Sequence, residues 1–200
     1  MAEAAAATMD EHHYTSTGLN NWKLGFWTFI GSECLFFGTL IGTYMTYKAQ
    51  SVQGPYPPEI LDIPLTSIST FVLLMSSLAM VLALDGVQQG KKGYASAGFL
   101  GVIILGGVFL GFQYYEFTHF VHEGLTIPQN LFGSTFFVLT GFHGAHVTMG
   151  VLWLIVLFVR FLMGKVPPEK ALQVEVAGLY WHFVDIVWIV IFTVVYLIQW

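Results

Sequence analysis

The sequence predicts an all-α, polytopic membrane protein: a bundle of five transmembrane helices, with the N-terminus inside and the C-terminus outside. Three observations carry this expectation. Of the 200 residues, 56% are hydrophobic and only 10% are charged, whereas an ordinary soluble domain is about 25% charged. The charges cluster, leaving five long apolar intervals, and the seven basic residues are divided unevenly between the two sides of those intervals. The same composition excludes a disordered chain, which needs low hydrophobicity and high charge. A net charge of −5 with so few Lys and Arg speaks against a nucleic-acid partner. The single cysteine, Cys34, excludes an internal disulfide and a cysteine-only metal site.

Residues 1–21 read as a polar, acidic N-terminal tail with His12 and His13. They lack the basic segment and short apolar core of a signal peptide. Residues 22–200 read as the membrane domain. A spanning helix needs about 20 mostly apolar residues, and each interval supplies them. The first span, 24–47, carries one charge, Glu33. A stiff connector, Gly54-Pro55-Tyr56-Pro57-Pro58, leads to the second span, 65–84, which carries none. The third, 94–115, is also uncharged. Pro128 delays the start of the fourth, 132–160, which holds His143 and His146. The fifth, 178–199, carries only Asp185. Uninterrupted apolar runs of this length do not show the short alternation of a membrane barrel. No internal repeat supports an inverted-repeat transporter. With the N-terminus inside, Lys23, Lys91, Lys92, Arg160, Lys165 and Lys170 lie inside and only Lys48 lies outside, which fixes the expected orientation.

Ionisable groups within spans are costly, about 2.5–3.5 kcal/mol at a helix centre on insertion scales. Each therefore needs a partner or a purpose. Glu33 is expected as a buried acid among Phe29, Phe36 and Phe37, serving either proton or lipid chemistry or helix packing. His143 and His146 are three apart and share a helix face beside Gly141, Gly144, Ala145 and Thr148, a ridge of small residues that favours close helix packing. Packing is the better reading of this pair than metal or haem ligation. His182 and Asp185, also three apart and next to Trp181, read as a structural pair near the start of the fifth span. Glu116 and His119 form a Glu-x-x-His unit, but a di-iron site needs two such units and two further Glu. They are expected as a solvated polar cluster on the outer side. Two rival readings remain at this level. One is a membrane metalloenzyme or haem protein using His143, His146, His182, Glu116 and His119. The other is a small transporter using Glu33 and Asp185.

The strings Leu24-Gly25-Phe26-Trp27, Ser32-Glu33-Cys34-Leu35-Phe36-Phe37, Tyr115-Glu116-Phe117, Gly141-Phe142-His143-Gly144-Ala145-His146-Val147 and Tyr180-Trp181-His182-Phe183-Val184-Asp185-Ile186-Val187-Trp188 occur in order along 24–200. Together they resemble the subunit III family of haem–copper oxidases, in its short five-helix bacterial form. The resemblance implies a non-redox accessory subunit of an aerobic respiratory complex that passes electrons from cytochrome c to O2 with proton translocation. A quinol donor is the alternative. It implies no catalytic residue, metal or redox cofactor on this chain, the haems and copper lying in partner subunits. It also implies packing on subunit I, further contact with subunit II and a small subunit IV, bound phospholipid, and residence in a prokaryotic plasma membrane. Glu33 then supports proton uptake or a lipid cleft, and His143, His146, Trp181, His182 and Asp185 are packing and lipid-cleft residues. Lacking the first two helices of the long form, this chain needs a neighbouring subunit to close such a cleft.

Overall fold

The computed structural model describes residues 20–51 and 54–198, so the expectation for tail residues 1–19, with His12 and His13, lies outside the described residues. The elements described are helices: α1 (Asn21–Tyr47), the single turn α2 (Pro57–Ile60), α3 (Ile63–Gln88), α4 (Lys92–His122), α5 (Leu131–Leu162), a 3-10 turn (Pro168–Lys170) and α6 (Leu172–Phe192). A π-helical turn, Thr193–Leu197, continues α6. Five of these are long and apolar enough to cross a membrane.

Two compact units divide the chain after Phe36. The first contains the opening turns of α1. Asn20 starts the helix by accepting from the Trp22 amide (2.9 Å), and Thr28 and Ser32 donate back to the carbonyls of Leu24 and Phe29. Trp22, Trp27 and Leu35 are exposed, as is Cys34. Glu33 is half-buried in this chain rather than buried.

The second unit, Phe37–Trp200, holds the other four spans. Asp62 caps α3 by accepting from Leu65 (3.0 Å), and Asn130 caps α5 by accepting from Gly133 (2.6 Å). Every span runs beyond the apolar interval that predicts it or close to its limits, because backbone hydrogen bonding continues past the point where charges begin. Asp85, Glu116 and Glu175 all lie inside helices. The largest differences are at the end of α4, which continues to His122 rather than 115, and at the start of α6, at Leu172 rather than 178.

The α3–α4 hairpin is the most intimate pairing. Its turn places Gly90 at φ +68°, where an L side chain is strained. The Gly90 amide bonds to the Val87 carbonyl and the Lys91 amide to the Gly86 carbonyl, ending α3 in a Schellman motif. Beyond the turn the two backbones nearly touch. A Cβ on Gly86 would fall 2.5 Å from the Ala95 nitrogen, and one on Gly98 would collide with the Ala83 backbone.

Candidate functional site

The interior of the second unit is organised by two stripes that face each other. Along α3, Thr66, Thr70, Leu73 and Ser77 recur at helical spacing, with Ser76 beside them. Along α6, Trp181, Asp185 and Trp188 do the same. The Trp188 Nε1–H donates to Thr70 Oγ1 (2.9 Å), the Trp181 Nε1–H to Ser76 Oγ (2.9 Å), and Ser77 Oγ donates to Asp185 Oδ2 (2.7 Å). Partners descend along α6 as they ascend along α3, so the helices pack antiparallel.

Each tryptophan joins all four helices. Trp181 wedges between α4 and α5 at two glycines. A Cβ on Gly106 would lie 2.7 Å from its ring and one on Gly150 3.0 Å from it. Trp188 stacks on His143 of α5 (centroids 4.9 Å, interplanar angle 27°) and meets Phe109 of α4 edge-on (4.8 Å). Trp188 is a site residue that the sequence reading missed. The signal was its seven-residue spacing from Trp181.

His143 and His146 do not form a pair with one role. His143 is fully buried among Phe37, Phe109 and Trp188, and neither ring nitrogen has a hydrogen-bond partner among the described residues. His146 is half-buried, its Nδ1 lies 2.7 Å from the Phe142 carbonyl, and Tyr180 donates to its backbone carbonyl (3.0 Å). The small-residue ridge beside them also divides. Gly144 is closely covered, because a Cβ there would lie 2.5 Å from Gln113 Oε1, whereas Gly141 has open space and Ala145 and Thr148 are exposed. Gln113 is itself buried and donates to the Thr140 carbonyl (2.7 Å). Next to it, Gly141, Gly144 and Thr148 line a groove of about 210 Å³.

His182 and Asp185 meet through a third group. His182 Nδ1 is 3.2 Å from Ser77 Oγ, which donates to Asp185. Since α6 begins six residues earlier than expected, the pair sits well inside the helix rather than near its start.

Glu116 corrects the expectation of a solvated outer cluster. It lies within α4 at 6% exposure and is 2.7 Å from Thr66 Oγ1 of α3. The helix continues a further turn and a half, so Glu116 faces α3 instead of the surface. His119 remains exposed, stacked with Tyr115. Both line a cleft of about 490 Å³ with Asp62, Leu65 and Phe112. No group of three or more His, Cys, Asp or Glu assembles as a metal site among the described residues.

Fold and interior together define a multi-pass helical membrane protein in which buried polar side chains tie α6 to α3. The family model for cytochrome c oxidase subunit III matches residues 3–200. The chain is 39% identical to the probable quinol oxidase subunit 3 of Staphylococcus saprophyticus, over 96% of this chain and 95% of that one. It is 36% identical to the quinol oxidase subunit 3 of Bacillus subtilis, covering 98% and 96%. It is 42% identical to the cytochrome c oxidase subunit 3 of the same organism, covering 87% and 84%. The chain belongs to the cytochrome c oxidase subunit III family, the third subunit of haem–copper oxidases.

Proposed function

We propose that this chain is the non-redox accessory subunit of a prokaryotic plasma-membrane terminal oxidase, one that reduces O2 with electrons from cytochrome c. In this reading the haems and copper reside in partner subunits. The chain packs on subunit I, touches subunit II and a small subunit IV, retains phospholipid, and sustains proton uptake through turnover. The observation that supports it is the Thr70–Trp188 and Ser76–Trp181 ladder: the two buried indoles of α6 donate to hydroxyls of α3 and join the helices. Such an interior suits a rigid companion to a catalytic subunit. In the same reading Glu33, in the other unit, supports proton uptake or a lipid cleft, with His146 and His182 as cleft residues.

A quinol donor is the second reading, favoured by the near-complete coverage of the quinol oxidase relatives. The test is purification through a tag on this chain, followed by oxygen consumption with reduced cytochrome c or with quinol. Co-purification of a haem-bearing subunit supports the accessory role, and the preferred donor separates the two readings. Stoichiometric haem or copper on the isolated chain would overturn both. Glu33→Gln should leave assembly and haem spectra nearly normal while activity falls faster during sustained turnover. Altered haem spectra in the assembled complex would refute the accessory role.

A further inference from the structure

The cleft of about 490 Å³ between α3 and α4 changes character along its length. It lies at the end of the hairpin opposite the Gly90 turn. Its mouth is polar: Asp62, at the start of α3, and His119 of α4 are exposed there, with Glu116 three residues deeper along α4. Its foot is apolar, formed by Gly111 and Phe112 of α4 and Leu65 of α3. A helix rises about 1.5 Å per residue, so the path from Gly111 to His119 is about 12 Å long. A Cβ on Gly111 would meet nothing within 4 Å, so the foot is open space and not a packed contact. A cleft of this size and order suits an amphiphile, with its polar end at the mouth and its chain along the foot.

The mouth is rich in acceptors and poor in cations. Glu116 is 6% exposed, and its Oε1 is engaged by Thr66 (2.7 Å). Its other oxygen accepts no hydrogen bond of full geometry among the described residues, although the Tyr196 hydroxyl lies near, and the residue lines the cleft. Asp62 spends one oxygen on the Leu65 amide (3.0 Å) and leaves the other open. No Lys or Arg lines the cleft among the described residues. Lys48, which follows α1, donates to the Ile198 carbonyl (2.6 Å). An ionisable group at membrane depth calls for a partner, and a buried acceptor calls for a donor. An ammonium answers both needs. Its three N–H groups are enough for the open oxygen of each acid, and aromatic walls such as Phe112 and Tyr115 attract it.

We propose that the α3–α4 cleft binds a phospholipid with an ammonium headgroup, of the phosphatidylethanolamine class: the ammonium donates to Glu116 and Asp62, and an acyl chain lies along Gly111, Leu65 and Phe112. The assignment rests on the reading in which this accessory subunit retains phospholipid. It uses residues other than Glu33, His146 and His182. A free ammonium compound would satisfy the acids but leave the foot empty, and an anionic phospholipid would bring no cation to the mouth.

The test uses the assembled oxidase, purified through a tag on this chain and reconstituted in phosphatidylglycerol vesicles. These carry a trace of chain-labelled phosphatidylethanolamine or phosphatidylglycerol, each with a nitroxide. The parent should immobilise more of the labelled phosphatidylethanolamine, and unlabelled phosphatidylethanolamine should displace it. Gly111→Leu fills the foot without touching the acids, and Asp62→Asn keeps the cap on Leu65 while removing an acid. Each should weaken this retention about tenfold. Glu116→Gln should do the same, whereas Glu33→Gln should leave it unchanged. Equal immobilisation of the two lipids by the parent overturns the proposal and leaves lipid retention standing; no immobilised lipid at all overturns both. Retention unmoved in Gly111→Leu and Asp62→Asn also overturns it, as does a loss in Glu33→Gln as large as theirs. Release of a partner subunit in Asp62→Asn with lipid retention intact overturns it too, because the occupant is then a basic side chain of that partner. Should Glu116→Gln fail to assemble, Gly111→Leu and Asp62→Asn decide.

Discussion

Ser76 and Trp181 show how much hangs on single side chains. Ser76→Ala would leave a buried indole N–H unpaired. Interhelical hydrogen bonds in membranes average about 0.6 kcal/mol and reach about 1.7, so a modest loss in that range is expected from detergent unfolding of the complex. Trp181→Ala should cost far more, about 3–5 kcal/mol, because it opens a cavity against Gly106 and Gly150. At Asp185, Asn can still accept from Ser77 and should be tolerated, whereas Leu cannot and should destabilise. A Leu variant as stable as the parent would refute the Ser77 contact. The residues with an obvious signature were legible in the sequence, namely Trp181, His182, Asp185 and the two histidines of the fourth span. Their partners were not. A lone Ser or Thr in an apolar span announces nothing until the facing helix is known. Glu116 was misplaced because a charge was read as a span limit.

Helix pairs obey a second rule, set by the smallest residues. Gly98→Val should push α3 and α4 apart, since even a Cβ meets the Ala83 backbone. Overpacking typically costs about 1–3 kcal/mol and occasionally more, and poor assembly of the complex would report it. Gly144→Leu should likewise weaken α4–α5 packing by displacing Gln113. The same substitution at Gly141 should be mild, because that position is open. Equal effects at the two sites would refute the division of the ridge. Small-residue spacing in the sequence pointed to this helix face. Which of its members are covered depends on where the neighbouring helix crosses, and one sequence does not carry that information.

The described residues of the second unit present an apolar exterior, with Phe71, Leu78, Ile104, Leu152 and Ile186 exposed, as hydrocarbon or a partner subunit requires. Its five spans were legible because hydration penalties act on every residue of a segment at once. If six of seven basic residues stay inside, a reporter fused after Trp200 should read out from the external compartment, and a cytoplasmic signal would reverse the orientation. The ladder also bears on biosynthesis, which delivers α6 to the membrane last. Until then α3 has no indole to bond. Its hydroxyls nevertheless already spend their protons on their own helix: Thr70 on the Thr66 carbonyl, Ser76 on the Leu73 carbonyl. They later serve Trp188 and Trp181 only as acceptors. These two hydroxyls can therefore wait in lipid with their protons already bonded, while Ser77 waits for Asp185, and the final segment arrives to find the acceptors for its indoles already aligned.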